Sequence, residues 1–250
     1  MPDEQRANRP KQRVTGSACG RRAVLLAGLG TLVGCATSNN SVKLPPPIWP
    51  TLRPGTGPLA SGGIAVPAAT ASIAGLSGVL ARSNWARGGP VVSRAKVMVQ
   101  PIRYVTIHHD GMPPFAATDL RAVAARIDLI RRAHLNRNGG GVWADIGYHF
   151  VIDRAGRVWE ARSLGLQGAH VKDQNEGNIG VLCLGNFEEQ RPTEAQLRSL
   201  EKFTASLRKR FRVPGHRVLT HREWQSANTL CPGQHLQEQI RVSRSAGRLG

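Results

Sequence analysis

Tyr104-Val-Thr-Ile-His-His109 sets β-branched and aromatic residues in alternation and closes on two imidazoles. Such side chains suit a pleated surface, so the run reads as a strand that carries histidines to its end. Downstream, Thr118 and Asp119 stand where an N-cap belongs, and Leu120, Val123, Ala124, Ile127, Ile130 and His134 recur at helical spacing. An amphipathic helix is expected there, ended by Gly139-Gly140-Gly141. Residues 146–152 and Val158-Trp159 predict two strands joined by a turn at Asp153-Arg-Ala-Gly156. Residues 179–184 form a nearly continuous apolar run, as in a strand buried on both faces. Thr193-Glu-Ala-Gln196 is a capping-box pattern that opens a second helix through Leu197, Leu200, Leu207 and Phe211. Residues 218–221 suit a last short strand, and 235–242 a terminal helix. The order β-α-β-β-β-α-β-α predicts an α/β fold, a central mixed sheet flanked by helices, over residues 82–250.

Eight histidines, at 108, 109, 134, 149, 170, 216, 221 and 235, are spread through this region. His221 and Cys231 stand ten residues apart in T-H-R-E-W-Q-S-A-N-T-L-C-P-G. Imidazole and thiolate are natural zinc ligands, and three protein ligands with one open position make a catalytic zinc site. The third ligand is expected from a separate strand, with His108-His109 as the source. Successive strand residues face opposite ways, so one of the two binds metal. The competing reading pairs Cys231 with Cys183, but Cys183 lies in an apolar strand run that suits a buried thiol. His134 falls on the apolar face of its helix and is expected to pack. His149 follows Tyr148 and is expected to face the other way.

The runs I-H-H, W-A-D-I-G-Y-H-F-V-I-D-R-A-G-R-V-W-E, G-A-H, N-I-G-V-L-C-L-G-N-F and H-R-E-W…T-L-C-P-G together resemble the type-2 N-acetylmuramoyl-L-alanine amidases, which include phage lysozyme-type enzymes and peptidoglycan recognition proteins. The resemblance covers roughly residues 82–240, including Arg82-Ser-Asn-Trp85. It implies a Zn2+ cofactor held by His108, His221 and Cys231. It also implies catalytic roles for Tyr148, from the D-I-G-Y block, and for Thr229, two residues before the cysteine. The expected reaction is hydrolysis of the amide between the lactyl group of N-acetylmuramic acid and L-alanine. Zinc would acidify water and polarise the carbonyl, with Tyr148 and Thr229 donating to the oxyanion. His221 and Cys231 are two residues further apart than is usual in the family. A related branch places a catalytic Glu in the buried strand, where this chain has Leu182. Binding-only members lack the metal-ligating cysteine, which this chain keeps; a recognition module without turnover is the alternative. His170, Trp143 and His109 are the candidates for lining the substrate groove. Trp143 reads equally as core, and His109 as pointing into the core or holding a neighbour.

Upstream of this region the chain changes character. Residues 1–22 carry six basic and two acidic side chains, and an uncharged apolar run follows to Gly34. That order is a secretion signal, and twelve residues are too few to span a bilayer as a helix, which takes about 20. Leu32-Val33-Gly34-Cys35 resembles the lipobox of bacterial lipoproteins, making residues 1–34 a signal peptide and Cys35 the lipidation site. Arg21-Arg22 also resembles a twin-arginine export signal. Residues 35–81 read as a tether: seven of the 16 prolines lie between Pro45 and Pro67, and only Lys43 and Arg53 are charged. The expected location is the periplasmic face of the envelope, anchored by lipid, with the outer membrane favoured because Ala36 follows Cys35. A monomer is expected.

The chain of 250 residues has a formal net charge of +18, from 34 Lys+Arg and 16 Asp+Glu. Charge alone would suit nucleic acid, an anionic membrane or an acidic polymer. No nucleic-acid-binding motif accompanies it, and an exported protein is expected to meet peptidoglycan and the membrane.

Overall fold

The computed structural model describes residues 76–137 and 143–249. The signal peptide, Cys35 and most of the tether lie outside the described residues, as do Gly139 to Gly141.

Six strands form one sheet: β1 (Val79–Leu80), β2 (Tyr104–His109), β3 (Phe150–Ile152), β4 (Val158–Glu160), β5 (Asn178–Cys183) and β6 (Val218–Thr220). Their spatial order is β1-β4-β3-β5-β2-β6. β2, β3, β5 and β6 run parallel, β4 is antiparallel to β3, and β1 is parallel to β4. The expected mixed α/β sheet is present. Helices α1 (Leu120–Leu135), α2 (Glu194–Phe211) and α3 (Gln234–Ser245) complete the domain.

Side-chain alternation sorts the core. On one face Val105, Ile107, Val181 and Cys183 join Leu200, Phe203 and Leu207 of α2 and Leu236 and Ile240 of α3. On the other, Val151, Leu182 and Trp159 pack against Val123, Ile127 and Ile130 of α1. β2 has a strand on either side, and Ile107 is fully buried; cutting such a residue back to alanine costs about 2–5 kcal/mol. The same alternation sends His108 to the α1 face and His109 to the α2 face.

Asp119 caps α1 by accepting from Ala122 N at 2.8 Å, and Thr193 caps α2 by accepting from Gln196 N at 3.1 Å. The capping box at Thr193 is only half made. The Gln196 amide instead donates to Ile152 O and Leu184 O, satisfying carbonyls where β3 and β5 end.

Three boundaries differ from expectation. Residues 146–149 are not strand, because Gly147 N turns out of the sheet to donate to His134 Nδ1 at 3.0 Å. His221 opens a 3-10 turn rather than extending β6. The domain begins before Arg82: β1 pairs with β4, and Leu76 and Val79 are buried.

Candidate active site

His108, His221 and Cys231 converge where parallel strands β2 and β6 end. His108 is the fifth residue of β2 and wholly buried, and His221 directly follows β6. Because β6 pairs with β2, the two imidazoles are neighbours, with ring centroids 4.7 Å apart. The chain then loops back so that Arg222 N donates to Cys231 O at 2.9 Å. The ten-position span from His221 to Cys231 does not separate the donors: one donor atom from each of the three residues lies within 4.8 Å of the others.

This donor set fits zinc. Metal–sulfur and metal–nitrogen bonds of about 2.3 and 2.05 Å at a tetrahedral angle put sulfur and nitrogen about 3.6 Å apart. His108 Nδ1 lies 3.6 Å from Cys231 Sγ. Burial, followed by the charges of His170 and His221, holds His108 well below its ordinary pKa, and burial brings His221 to about 4. Both rings are therefore neutral, as ligands must be. Burial pushes the Cys231 thiol up to about 12, against the pull of the His109 backbone N–H and Arg222. A bound cation is what would convert it to thiolate.

Behind the ligands lies a relay of buried polar groups. His108 Nε2 meets His170 Nδ1 at 3.1 Å, and His170 Nε2 meets Asn178 O at 3.2 Å. With His108 Nδ1 facing the metal position, its Nε2–H donates to His170, which donates in turn to the carbonyl. His170 was expected to line the groove; it is buried, and both its nitrogens are committed to the protein. It orients His108 instead. Room for it comes from Gly168 and Gly180, where an added Cβ would lie 2.5 and 2.7 Å from its ring. His149 sits alongside, accepting from Gly180 N and facing Leu166 O, each at 3.0 Å. His109 is also a support: its N–H donates to Cys231 Sγ at 3.4 Å, and its Nδ1 accepts from Phe187 N at 3.2 Å.

Tyr148 lies beside the ligands, its ring 5.0 Å from that of His108. Burial, then the nearby Cys231 and Asp110, raises its hydroxyl pKa, so it keeps its proton through neutral pH. Thr229 Oγ1 accepts from Cys231 N at 3.1 Å, which leaves its own O–H free to point elsewhere. The ring of half-buried Trp143 has its centroid 4.7 Å from that of His134, and the Arg137 guanidinium lies over it at 5.1 Å. His134, read as packing, also holds Gly147 beside Tyr148. His216 lies before β6, at the opposite end of that strand from His221.

Several supports were missed in the sequence. Glu223 accepts from Thr220 N and Gln237 Nε2, and from both terminal nitrogens of Arg244 at 2.6 Å, locking the His221 turn onto α3. Burial alone would raise its carboxyl, but these hydrogen bonds bring it below the usual value. Glu188 takes Arg222 and Gln234 N, and Arg222 also donates to Leu230 O. Thr220-His-Arg-Glu223 is itself a capping-box pattern, so one of these supports had a signal. Asp110, raised by burial, accepts from Arg126, Met112 N and Gly185 N and ties the end of β2 to α1.

Residues 98–234 match the family model described as N-acetylmuramoyl-L-alanine amidase. The chain is 33% identical over 175 residues to the N-acetylmuramoyl-L-alanine amidase of Sus scrofa, covering 69% of this chain and 28% of that protein. It thus spans under a third of that relative. It is 31% identical to peptidoglycan-recognition protein 2 of Holotrichia diomphalia, over 54% of this chain and 68% of the relative. Among solved structures, peptidoglycan recognition protein LE in complex with tracheal cytotoxin aligns with a TM-score of 0.59 at 25% identity, covering 67% of this chain and 94% of that one. Sequence blocks, sheet and ligand geometry agree with these likenesses, and the chain belongs to the N-acetylmuramoyl-L-alanine amidase family.

Proposed function

We propose that this protein is a zinc-dependent amidase that hydrolyses the bond between the lactyl group of N-acetylmuramic acid and L-alanine in peptidoglycan or its fragments. The carrying observation is the His108, His221 and Cys231 triangle, with its 3.6 Å nitrogen–sulfur edge. Zinc bound there would supply Lewis acidity, acidifying water and polarising the amide carbonyl. His108, fixed by His170, and Cys231, fixed by the His109 N–H, hold the donor atoms in place. Tyr148, protonated at neutral pH, donates to the scissile oxygen as charge develops there, and Thr229 is the second donor. Neither is a base at neutral pH. Trp143 offers a half-buried aromatic face to the sugar or stem peptide. The basic-then-apolar leader and Cys35 support export and lipid anchoring at the envelope, with the outer membrane favoured.

Release of stem peptide from muropeptides, followed with and without chelator, tests the reading. Cleavage should need zinc, and Tyr148→Phe should lower kcat about 10²–10³-fold. Chelator-insensitive cleavage, or none by zinc-loaded protein, would overturn it. The second outcome, with muropeptide binding retained, would favour a recognition module, as the cytotoxin-bound neighbour suggests.

A further inference from the structure

The last turn of α2 carries Arg208, Lys209 and Arg210, and Arg212 ends the helix in a left-handed backbone conformation with φ 56°. Two adjoining depressions open at this point. Lys209 and Arg212 line both; Arg208 joins them in one, and Arg210, with Leu76 and Ser77, in the other. No carboxylate lines either. Arg208 is held by Val213 O and Leu249 O, whereas Lys209 and Arg212 are exposed.

Topology fixes which end of the domain this is. α2 starts just past the C-terminal end of β5 and runs back about 27 Å at 1.5 Å per residue. It delivers the chain to β6, whose first residue, Val218, pairs with Val105 near the start of β2. His108 and His221 lie at the other ends of those strands. The cations therefore sit at the end of the sheet remote from the metal ligands. They also flank Leu76, a buried residue just ahead of β1, where the segment read as a lipid-anchored tether meets the domain.

We propose that this cationic end docks on an anionic lipid surface, turning the metal site away from the membrane and toward the wall. The orientation rests on the lipid-anchor reading; the affinity for the surface does not. Wide depressions without acidic residues, beside the point where the tether joins the domain, suit a plane of headgroup phosphates. Each Lys or Arg near such a surface contributes about fivefold to partitioning, an attraction that salt weakens.

The full chain with Cys35→Ser, which removes the attachment point, is sedimented with phosphatidylglycerol–phosphatidylcholine vesicles and with pure phosphatidylcholine vesicles. Binding is expected to the anionic vesicles only. Lys209→Glu with Arg212→Asn changes the charge by three and should weaken it about 100-fold. Arg121→Glu, in the first turn of α1 near the metal end, should leave it unchanged. Cleavage of soluble muropeptides by the double variant should match that of the parent, which verifies its fold. The leader is common to all variants and cancels. Equal binding of the parent and the double variant to the anionic vesicles overturns the proposal, as does an equal loss by the double variant on neutral vesicles. A loss confined to isolated sacculi would assign the patch to an acidic wall polymer and overturn it too. Palmitate incorporation at Cys35 tests the anchor separately, and its failure would leave the vesicle result standing.

Discussion

His108 and the pair His221 with Cys231 reach one point from supports of different kinds. His108 belongs to a strand with partners on both sides, is wholly buried, and has its free nitrogen fixed by His170. His221 and Cys231 belong to a 3-10 turn and a loop, whose backbone hydrogen bonds are local and do not tie them into the sheet ladder. Carboxylates do the fixing there: Glu223 binds the turn to Arg244 of α3, and Glu188 holds Arg222. The strand residue needs only one neutral hydrogen bond to complete its aim, whereas the turn and loop are held by charged clamps.

The sharpest way to break the comparison is to delete a loop ligand. Cys231→Ala should abolish stoichiometric zinc binding, measured by metal analysis, and cut muropeptide cleavage by about 10³-fold or more. Retained cleavage would mean that the strand side suffices. On the strand side, His170→Ala leaves His108 without its hydrogen-bond acceptor and should weaken zinc binding about 10–100-fold in a chelator competition. Glu223→Gln loosens the clamp and not the ligand, so a smaller loss of about 1–2 kcal/mol in urea unfolding is expected, together with weaker zinc retention. Unfolding with zinc affinity untouched would show that the turn is set by other contacts.

The smallest effect is on acidification. Burial keeps His149 neutral to about pH 4 and His134 to about pH 3 in the folded state, whereas the unfolded chain takes up protons near pH 6.5. Their contribution to stability is therefore fully present only well above pH 6.5 and falls as the pH drops through 6.5 toward 4 for His149 and 3 for His134. Between pH 7 and 6 each group costs about 0.7 kcal/mol. Urea midpoints at the two values measure this, and His149→Gln should flatten the slope by its share.

The same contrast explains what could be read from the sequence. β2 and both long helices show themselves through local periodicity, and His108, His221 and Cys231 through matching blocks. β1 is two residues long, too short to show a period, and its partner lies 79 positions on. His170 was visible in its Gly-Ala-His loop but misplaced, because its partner is 62 residues away and part of its room is made by Gly180 on β5. The Thr220 to Glu223 pattern is local, yet the Arg244 that completes the clamp is 21 residues further on. At Gln196 the pattern was real and the partner wrong, since buried carbonyls at the sheet end outcompeted the reciprocal cap.

The position of β2 between β5 and β6 also sets a route. Amides from Val105 to His108 can exchange with solvent only when the sheet itself comes apart, whereas the turn after β6 can open when the Glu223 and Glu188 side chains release their partners. A zinc ion held between them would leave by the easier motion. Its residence time would then follow how often the loop lifts from α3, and much less the global stability of the domain.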